Sequence, residues 1–497
     1  MPRGETTKLA PVTASIVERA FATPADRATE NDLVGLDLSA AAPIGWKVTL
    51  VCGLVAFLET LAVGMVGGAL TNIQETFDLS NSLAGAIPTA AILGSLAVAL
   101  PSARLADVGR RTRVLGTIAV LWTIVAVGSA WAPIFALFLF SRVLLGASAQ
   151  LNNPAASSMI ADAHPARGRA KAYGYERMAN YLGLPVGIAL GAALADGLGW
   201  RTAFTIGAIP GLVAAAAAFS VTDPPRGLGD LLDRARRNGA DTGDTGDTDD
   251  TGEARMASAG AASFESSTPA ANTSDVAGTE LVQLRPPTLT QLRSLWTVNS
   301  LRAVLIGLPV LFSALGALFF WATKYFEQVH GLDEKGAGGI AGGVGGTGIV
   351  IGIILGSRFG DRFHGVRPGW RLALGSAGML AGAAAFALML SLPTLAVQAT
   401  MFGLTNIGIA IAIPNLTAAV ADVVPAANRG SAFSALQFLL AGGSALGPPL
   451  VGVASDLIGT LRPAMMVLLI PMAIAGLVVR SGRSSFDGDV DAVLAAV

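Results

Sequence analysis

Four charged residues sit where charge is expensive. Glu59, Arg142, Glu176 and Arg177 lie inside or at the edge of long apolar runs, in a chain of 497 residues that is 52% hydrophobic and 13% charged. An ionised side chain at the centre of a bilayer costs about 2.5–3.5 kcal/mol on insertion scales. Glu59, midway along its run, suits a group that takes up and releases protons; the competing reading is a static carboxylate paired to a neighbouring helix. Arg142 has three readings: a pair with Glu59, a hold on an anionic headgroup, or snorkelling to the interface. Glu176 and Arg177 are adjacent, so on a helix they diverge by about 100° and are expected to face different surroundings. Uncharged polar groups cluster as well. Gln150, Asn152 and Asn153 precede Pro154, and Asn406 and Asn415 flank Pro414. They are candidate headgroup ligands, or else hydrogen bonds between helices. Phe312, Phe319, Phe320, Trp321, Tyr325 and Phe326 form an aromatic run. Phe312, Phe319 and Trp321 are candidates to wall an apolar chain, with an interfacial belt the alternative for Trp321 and Tyr325. Few polar groups in an apolar surround favour an amphiphile over a sugar.

These residues need helices to hold them. A span takes about 20 mostly apolar residues. Long stretches free of Asp, Glu, Lys and Arg give twelve of them, at 48–69, 83–103, 114–132, 134–160, 170–195, 202–221, 301–323, 337–357, 370–391, 395–421, 430–454 and 461–480. Ser391-Leu392-Pro393 is the expected turn inside the longest uncharged stretch. With both termini placed in the cytoplasm, the inner segments hold 27 of the 33 Lys and Arg residues and the outer loops four, as the positive-inside rule requires. The charge fraction argues against an ordinary soluble enzyme and against a disordered chain. A net charge of −1 supplies no basic field for nucleic acid. The single cysteine, Cys52, rules out an internal disulfide. Residues 1–45 lack an apolar signal-peptide core and read as a cytoplasmic tail. The expected organisation is then a six-helix bundle over 46–222, a low-complexity cytoplasmic linker over 223–299, a second six-helix bundle over 300–481, and a tail over 482–497.

The two bundles are related. At an offset of 260, Pro154 matches Pro414, Ala161-Asp162 matches Ala421-Asp422, Arg169 matches Arg429 and Asp196 matches Asp456, within 12 identities over the 46 positions from 154 to 199. Arg104-Leu105-Ala106-Asp107 corresponds to Arg358-Phe359-Gly360-Asp361. Parallel six-helix repeats with a site between them near the midplane are a transporter architecture.

Ala103-Arg104-Leu105-Ala106-Asp107-Val108-Gly109-Arg110-Arg111 resembles the signature between the second and third helices of the major facilitator superfamily, with Ala for its first Gly and one residue fewer after the Asp. Gly356-Ser357-Arg358-Phe359-Gly360-Asp361-Arg362 is a second copy. Asp223-Pro224-Pro225-Arg226-Gly227, together with Ile73-Gln74, Phe77-Asp78-Leu79-Ser80 and Arg142-Val143-Leu144-Leu145-Gly146, resembles the Spinster branch. That resemblance implies an all-α fold of two pseudo-symmetric six-helix bundles. It also implies transport of a lysophospholipid or similar amphiphile by alternating access, coupled in some members to protons. The family's usual Glu on the fourth helix is replaced here by Ala149, and its Asp-Arg pair on the first helix is missing, which leaves Glu59 and Glu176 as candidates for proton coupling.

Asp107, Arg110, Arg111, Asp162, Arg169, Asp361, Arg362, Asp422 and Arg429 cluster at the expected cytoplasmic ends. Acid and base at helix ends can interlock or cap a helix dipole, which reads as a gate latch; positive-inside anchoring accounts for many of the arginines but not for the paired aspartates. Gly338, Gly342 and Gly346, and Gly348, Gly352 and Gly356, are spaced for close helix approach. No metal site, cofactor or Walker loop is expected, nor any enzymatic role. The expected protein is a monomeric multi-pass transporter of a bacterial plasma membrane. A drug/proton antiporter is the alternative within the class, favoured by Gly183, Pro185 and Gly187. A non-transporting receptor or scaffold is the alternative outside it.

Overall fold

The computed structural model describes residues 28–37, 40, 42–99, 102, 110–242, 296–363, 366–424 and 429–495. The predicted helices are present. They are α1 (Lys47–Gly68), α2 (Asn81–Ala97), α3 (Arg111–Ala130), α4 (Phe135–Ala163), α5 (Ala166–Leu198), α6 (Trp200–Ser220), α7 (Asn299–His330), α8 (Glu334–Gly360), α9 (Trp370–Ser391), α10 (Leu395–Asp422), α11 (Arg429–Ile458) and α12 (Leu461–Ser481). Among the described residues eleven are long and apolar enough to cross a bilayer, and α2 counted with the short helix before it makes up to twelve. The Ser391–Pro393 break falls between α9 and α10 as expected.

Several helices run past their apolar cores. A short helix, Leu70–Phe77, continues α1 and ends at Asp78 in a left-handed conformation (φ 51°), from which Ser80 caps α2 by accepting from the Leu83 N–H. The α7 helix extends seven residues beyond the predicted end at 323, to His330. Near its start, α8 contains a π-helical turn over Gly339–Val344. Two further helices, Leu228–Thr242 and Arg483–Ala495, lie outside the spans. The last docks on the second bundle, where Asp487 accepts the Gly369 N–H and Asp489 accepts from Ser300.

Small residues set the packing. α1 and α5 lie in backbone contact: a Cβ on Gly64 would stand 2.1 Å from the Leu184 carbonyl, and one on Gly187 equally close to that of Leu61. The two glycine stripes of α8 have different partners. Gly338, Gly342 and Gly346 face Ala192, Ala189 and Pro185 on α5, whereas Gly348, Gly352 and Gly356 face α10. The first stripe therefore joins the two halves of the chain and the second belongs within one half.

The two bundles also meet where α2 crosses α11 and where α1 meets α7. Gly85 abuts Pro448, Gly452 abuts Asn81, and the Thr89 hydroxyl donates to the Ala445 carbonyl at 2.6 Å. Gly67 lies against Phe319 and Phe320. We call the face that carries the start of α1 and the end of α12 the terminal face, and its opposite the far face. All of these contacts lie in the half of the molecule toward the far face.

Candidate functional site

The central polar group stands on α1. Glu59 lies one helical turn nearer the terminal face than Gly64, whose surroundings are fixed by α5. Its Oε1 accepts a hydrogen bond from Asn152 Nδ2 on α4, at 2.7 Å. Glu176 on α5 is within electrostatic reach of Glu59, and Arg177 Nε contacts Glu176 Oε2 at 3.4 Å. Three helices thus bring two carboxylates, an amide and a guanidinium together. Glu176 is buried, whereas half of the Arg177 side chain is exposed. The two residues meet different surroundings, as adjacent helix positions should, yet their side chains still come within 3.4 Å of each other. The length of the Arg177 side chain lets its guanidinium reach the carboxylate from the exposed side.

The other sequence candidates separate. Gln150 is half-buried near the site, and Asn153 is exposed. Arg142 does not pair with Glu59 and does not snorkel. It is buried inside the first bundle, where it donates to Ser129 Oγ on α3 and lies over the Phe138 ring. The reason is rotation: ten residues separate Arg142 from Asn152, which places them about 80° apart around α4. Asn415 donates to the Gly356 and Ile411 carbonyls, and Asn406 to that of Phe402. Both are buried against the α8 stripe and serve helix packing there.

The aromatic run is core and not an interfacial belt. Trp321 is fully buried, and its indole N–H donates to the Pro448 carbonyl at 3.0 Å. Tyr325 is also buried and donates to Gln398. Phe319 meets Phe402 edge to face, and Phe312 is half-buried at the edge of the same core.

At the terminal face, Arg111 is fully buried at the start of α3. It holds Asp162 at the end of α4, both carboxylate oxygens of Asp223, the Ser158 hydroxyl and the Pro224 carbonyl. Asp162 in turn accepts the Gly227 N–H at 3.0 Å. The Asp223–Gly227 segment is thereby fastened to the first bundle. Arg169 adds a clamp, donating to the Ala161 and His164 carbonyls and to Asp230. In the second bundle Arg371 contacts Asp422 at 3.2 Å. Arg111–Asp162 and Arg371–Asp422 are separated by the same 260 residues, so the repeat carries whole ion pairs and not only residues. These ties join elements of one bundle. Arg110 and Arg362 are exposed at this face, while Asp107 and the side chains of Asp361 and Arg429 lie outside the described residues.

A second polar cluster, at the far face, is not among the sequence candidates. Lys324 Nζ donates to Gln74 and to Asn81, Thr71 donates to Glu327, and Asn72 donates to Glu334. Asp456 accepts the N–H groups of Asn81 and Ser82 at 3.0 and 2.8 Å, capping the start of α2 from the opposite bundle. Every one of these bonds crosses between the two bundles. The available signal was the i, i+3 pair Lys324 and Glu327 at the end of an apolar run, which reads as ordinary loop charge until α7 is known to continue through it.

Two six-helix bundles, closed on each other at one face, with a buried polar site in the first, define a membrane protein of the major facilitator architecture. Residues 52–448 match the Major Facilitator Superfamily, and the chain belongs to it. Its fold is similar to that of a bacterial homolog of the human lysosomal transporter Spinster in an inward-facing and occupied conformation, with a TM-score of 0.67, 19% identity, and 89% of this chain and 97% of that one covered. It is also similar to a D-xylose–proton symporter, with a TM-score of 0.62, 19% identity, and coverage of 87% and 96%. In sequence it is 32% identical over 166 residues to the 3-(3-hydroxy-phenyl)propionate transporter of Escherichia coli (strain K12), a match covering 33% of this chain and 40% of that protein. It is 26% identical over 193 residues to protein spinster of Drosophila melanogaster, covering 37% and 30%. These matches span less than half the length of either relative.

Proposed function

We propose that this protein is a secondary transporter that moves a lysophospholipid or similar amphiphile across the plasma membrane by rocking its two bundles, with Glu59 as the proton carrier. The terminal face is then cytoplasmic, in keeping with the distribution of Lys and Arg. The observation that carries the reading is the placement of Glu59. It sits within the bilayer, on the terminal side of the contacts between bundles, held by a neutral amide and not by a cation. Such a carboxylate can gain or lose a proton without breaking an ion pair. The likeness to a Spinster homolog supports an amphiphile as cargo.

A second reading, an aromatic carboxylate, is favoured by the half-exposed Arg177 beside the site and by the match to an aromatic-acid transporter. Reconstituted vesicles decide between them. Labelled lysophospholipid, aromatic acids and cationic drugs are offered under an imposed proton gradient. Gradient-dependent movement of the lysolipid alone is the expected result; movement of the acids alone replaces the reading. Binding with no movement of any of them makes the protein a receptor. The Glu59→Gln variant should retain binding and lose the pH dependence of transport, and an unchanged pH profile removes Glu59 from the coupling.

A further inference from the structure

The interior of the first bundle holds a buried cation with no acid to balance it. Arg142, 5% exposed, projects from α4 into the space among α1, α3, α4 and α6. It donates to Ser129 Oγ, and its Nε has no hydrogen-bond partner. Two aromatic faces flank it, Phe138 at 4.5 Å and Phe204 at 5.6 Å from the guanidinium carbon. Among the described residues no carboxylate pairs with it.

The end of α3 lies beside this site and offers partial negative charge. That resource is already taken. The Ala130 and Ala132 carbonyls accept from Arg201 Nη1 at 2.7 and 3.1 Å, and the Ser129 hydroxyl spends its own proton on the Ala126 carbonyl at 2.7 Å. Two guanidinium groups therefore converge on one helix end and one aromatic cluster, with no side-chain anion between them.

A cavity of about 20 Å³ adjoins Arg142 and is otherwise lined by Ser129, Trp122, Ala126, Leu145, Phe204 and a few small or apolar neighbours. It has room for one small occupant. We propose that this cavity is a binding site for a monatomic anion of the chloride class, held by the Arg142 guanidinium. A buried charge calls for a counter-charge, and a neutral water would leave this one uncompensated. The guanidinium is the one charged donor group in the lining, which suits a small singly charged anion. The lining supplies no metal ligand set, and its remaining groups are apolar, as suits a weakly hydrated halide.

Crystals of the full chain grown with bromide in place of chloride test this directly. The expected result is a bromine anomalous peak within hydrogen-bonding distance of a guanidinium nitrogen of Arg142. Filling the cavity by Ala126→Leu, which leaves the arginine in place, should abolish that peak while bromide sites elsewhere persist. No anomalous peak at Arg142 in the unaltered protein, whether the cavity holds a water or nothing, overturns the proposal. So does a peak that survives Ala126→Leu unchanged.

Discussion

Arg111 shows how much one side chain can hold. Its guanidinium is fully buried and is shared among Asp162, Asp223, Ser158 and the Pro224 carbonyl. Removing one partner of such a cluster leaves uncompensated buried charge, which costs about 3–5 kcal/mol. Arg111→Ala is therefore expected to lower the thermal stability of the purified protein sharply. Arg371→Ala, at the matched but partly exposed pair, should cost clearly less. Equal losses in a melting assay would show that burial does not set the difference. Asp162 and Asp422 were legible in the sequence as a repeated pair, and so was Arg111 as part of a motif. Arg371 was not, because basic residues begin many helices at this face and only contact distinguishes the one that is used. Glu59 and Asn152 were each legible as polar groups in apolar helices. Their pairing was not, since it depends on how α4 is rotated in the bundle.

At the level of elements, glycine placement decides which helices touch. The α1–α5 contact is made backbone to backbone, and Leu at Gly64 or Gly187 would enter the partner's main chain. Overpacking of this kind typically costs about 1–3 kcal/mol where neighbours can move, and more here because the obstacle is a carbonyl. Gly187→Leu should thus reduce the yield of folded protein in detergent, measured by size-exclusion chromatography. Gly342→Leu acts differently, because Gly342 faces Pro185 in the other bundle. It should leave each bundle folded and push them apart at the far face, seen as a longer distance between spin labels placed on α5 and α8. An unaltered distance would mean that α8 absorbs the side chain. Both glycine stripes were readable from spacing alone, but the partner of each was not. The interfacial-belt alternative for Trp321 and Tyr325 fails for a geometric reason. The apolar stretch ends near 323, but α7 continues to His330, which puts Trp321 about 13 Å inside the helix end and in the core.

At the scale of the molecule, the far face is held shut by polar bonds between bundles. Lys324, Glu327 and Glu334 reach across to Gln74, Asn81, Thr71 and Asn72, and Asp456 caps α2. Losing the Lys324 bonds should cost the closed arrangement about 1–3 kcal/mol, a shift of roughly 5- to 150-fold in population. In a Cys52→Ala background, a cysteine at Thr89 should react faster with a membrane-impermeant reagent from the far side when Lys324→Met is added. An unchanged rate would place the seal elsewhere. The two-bundle architecture was legible because a duplicated pattern of helices and charges survives in the chain. The seal was not, because it is built from residues of both halves that share no motif.

The π turn in α8 lies within the part of that helix that packs against the other bundle. Gly346 faces α5 and Gly348 faces α10; two residues of regular helix place them about 200° apart, so α8 shows one side to each bundle. From Gly338 to Gly346 the glycines of α8 meet the opposite bundle, and from Gly348 to Gly356 they meet α10 of its own. The surface that must move is thus almost free of side chains, with glycine on one side and alanine, proline and main chain on the other. No side chain has to unthread when the bundles slide there. In the proposed rocking motion, friction is expected to be low along α8, with the polar bonds at the far face setting the speed of switching.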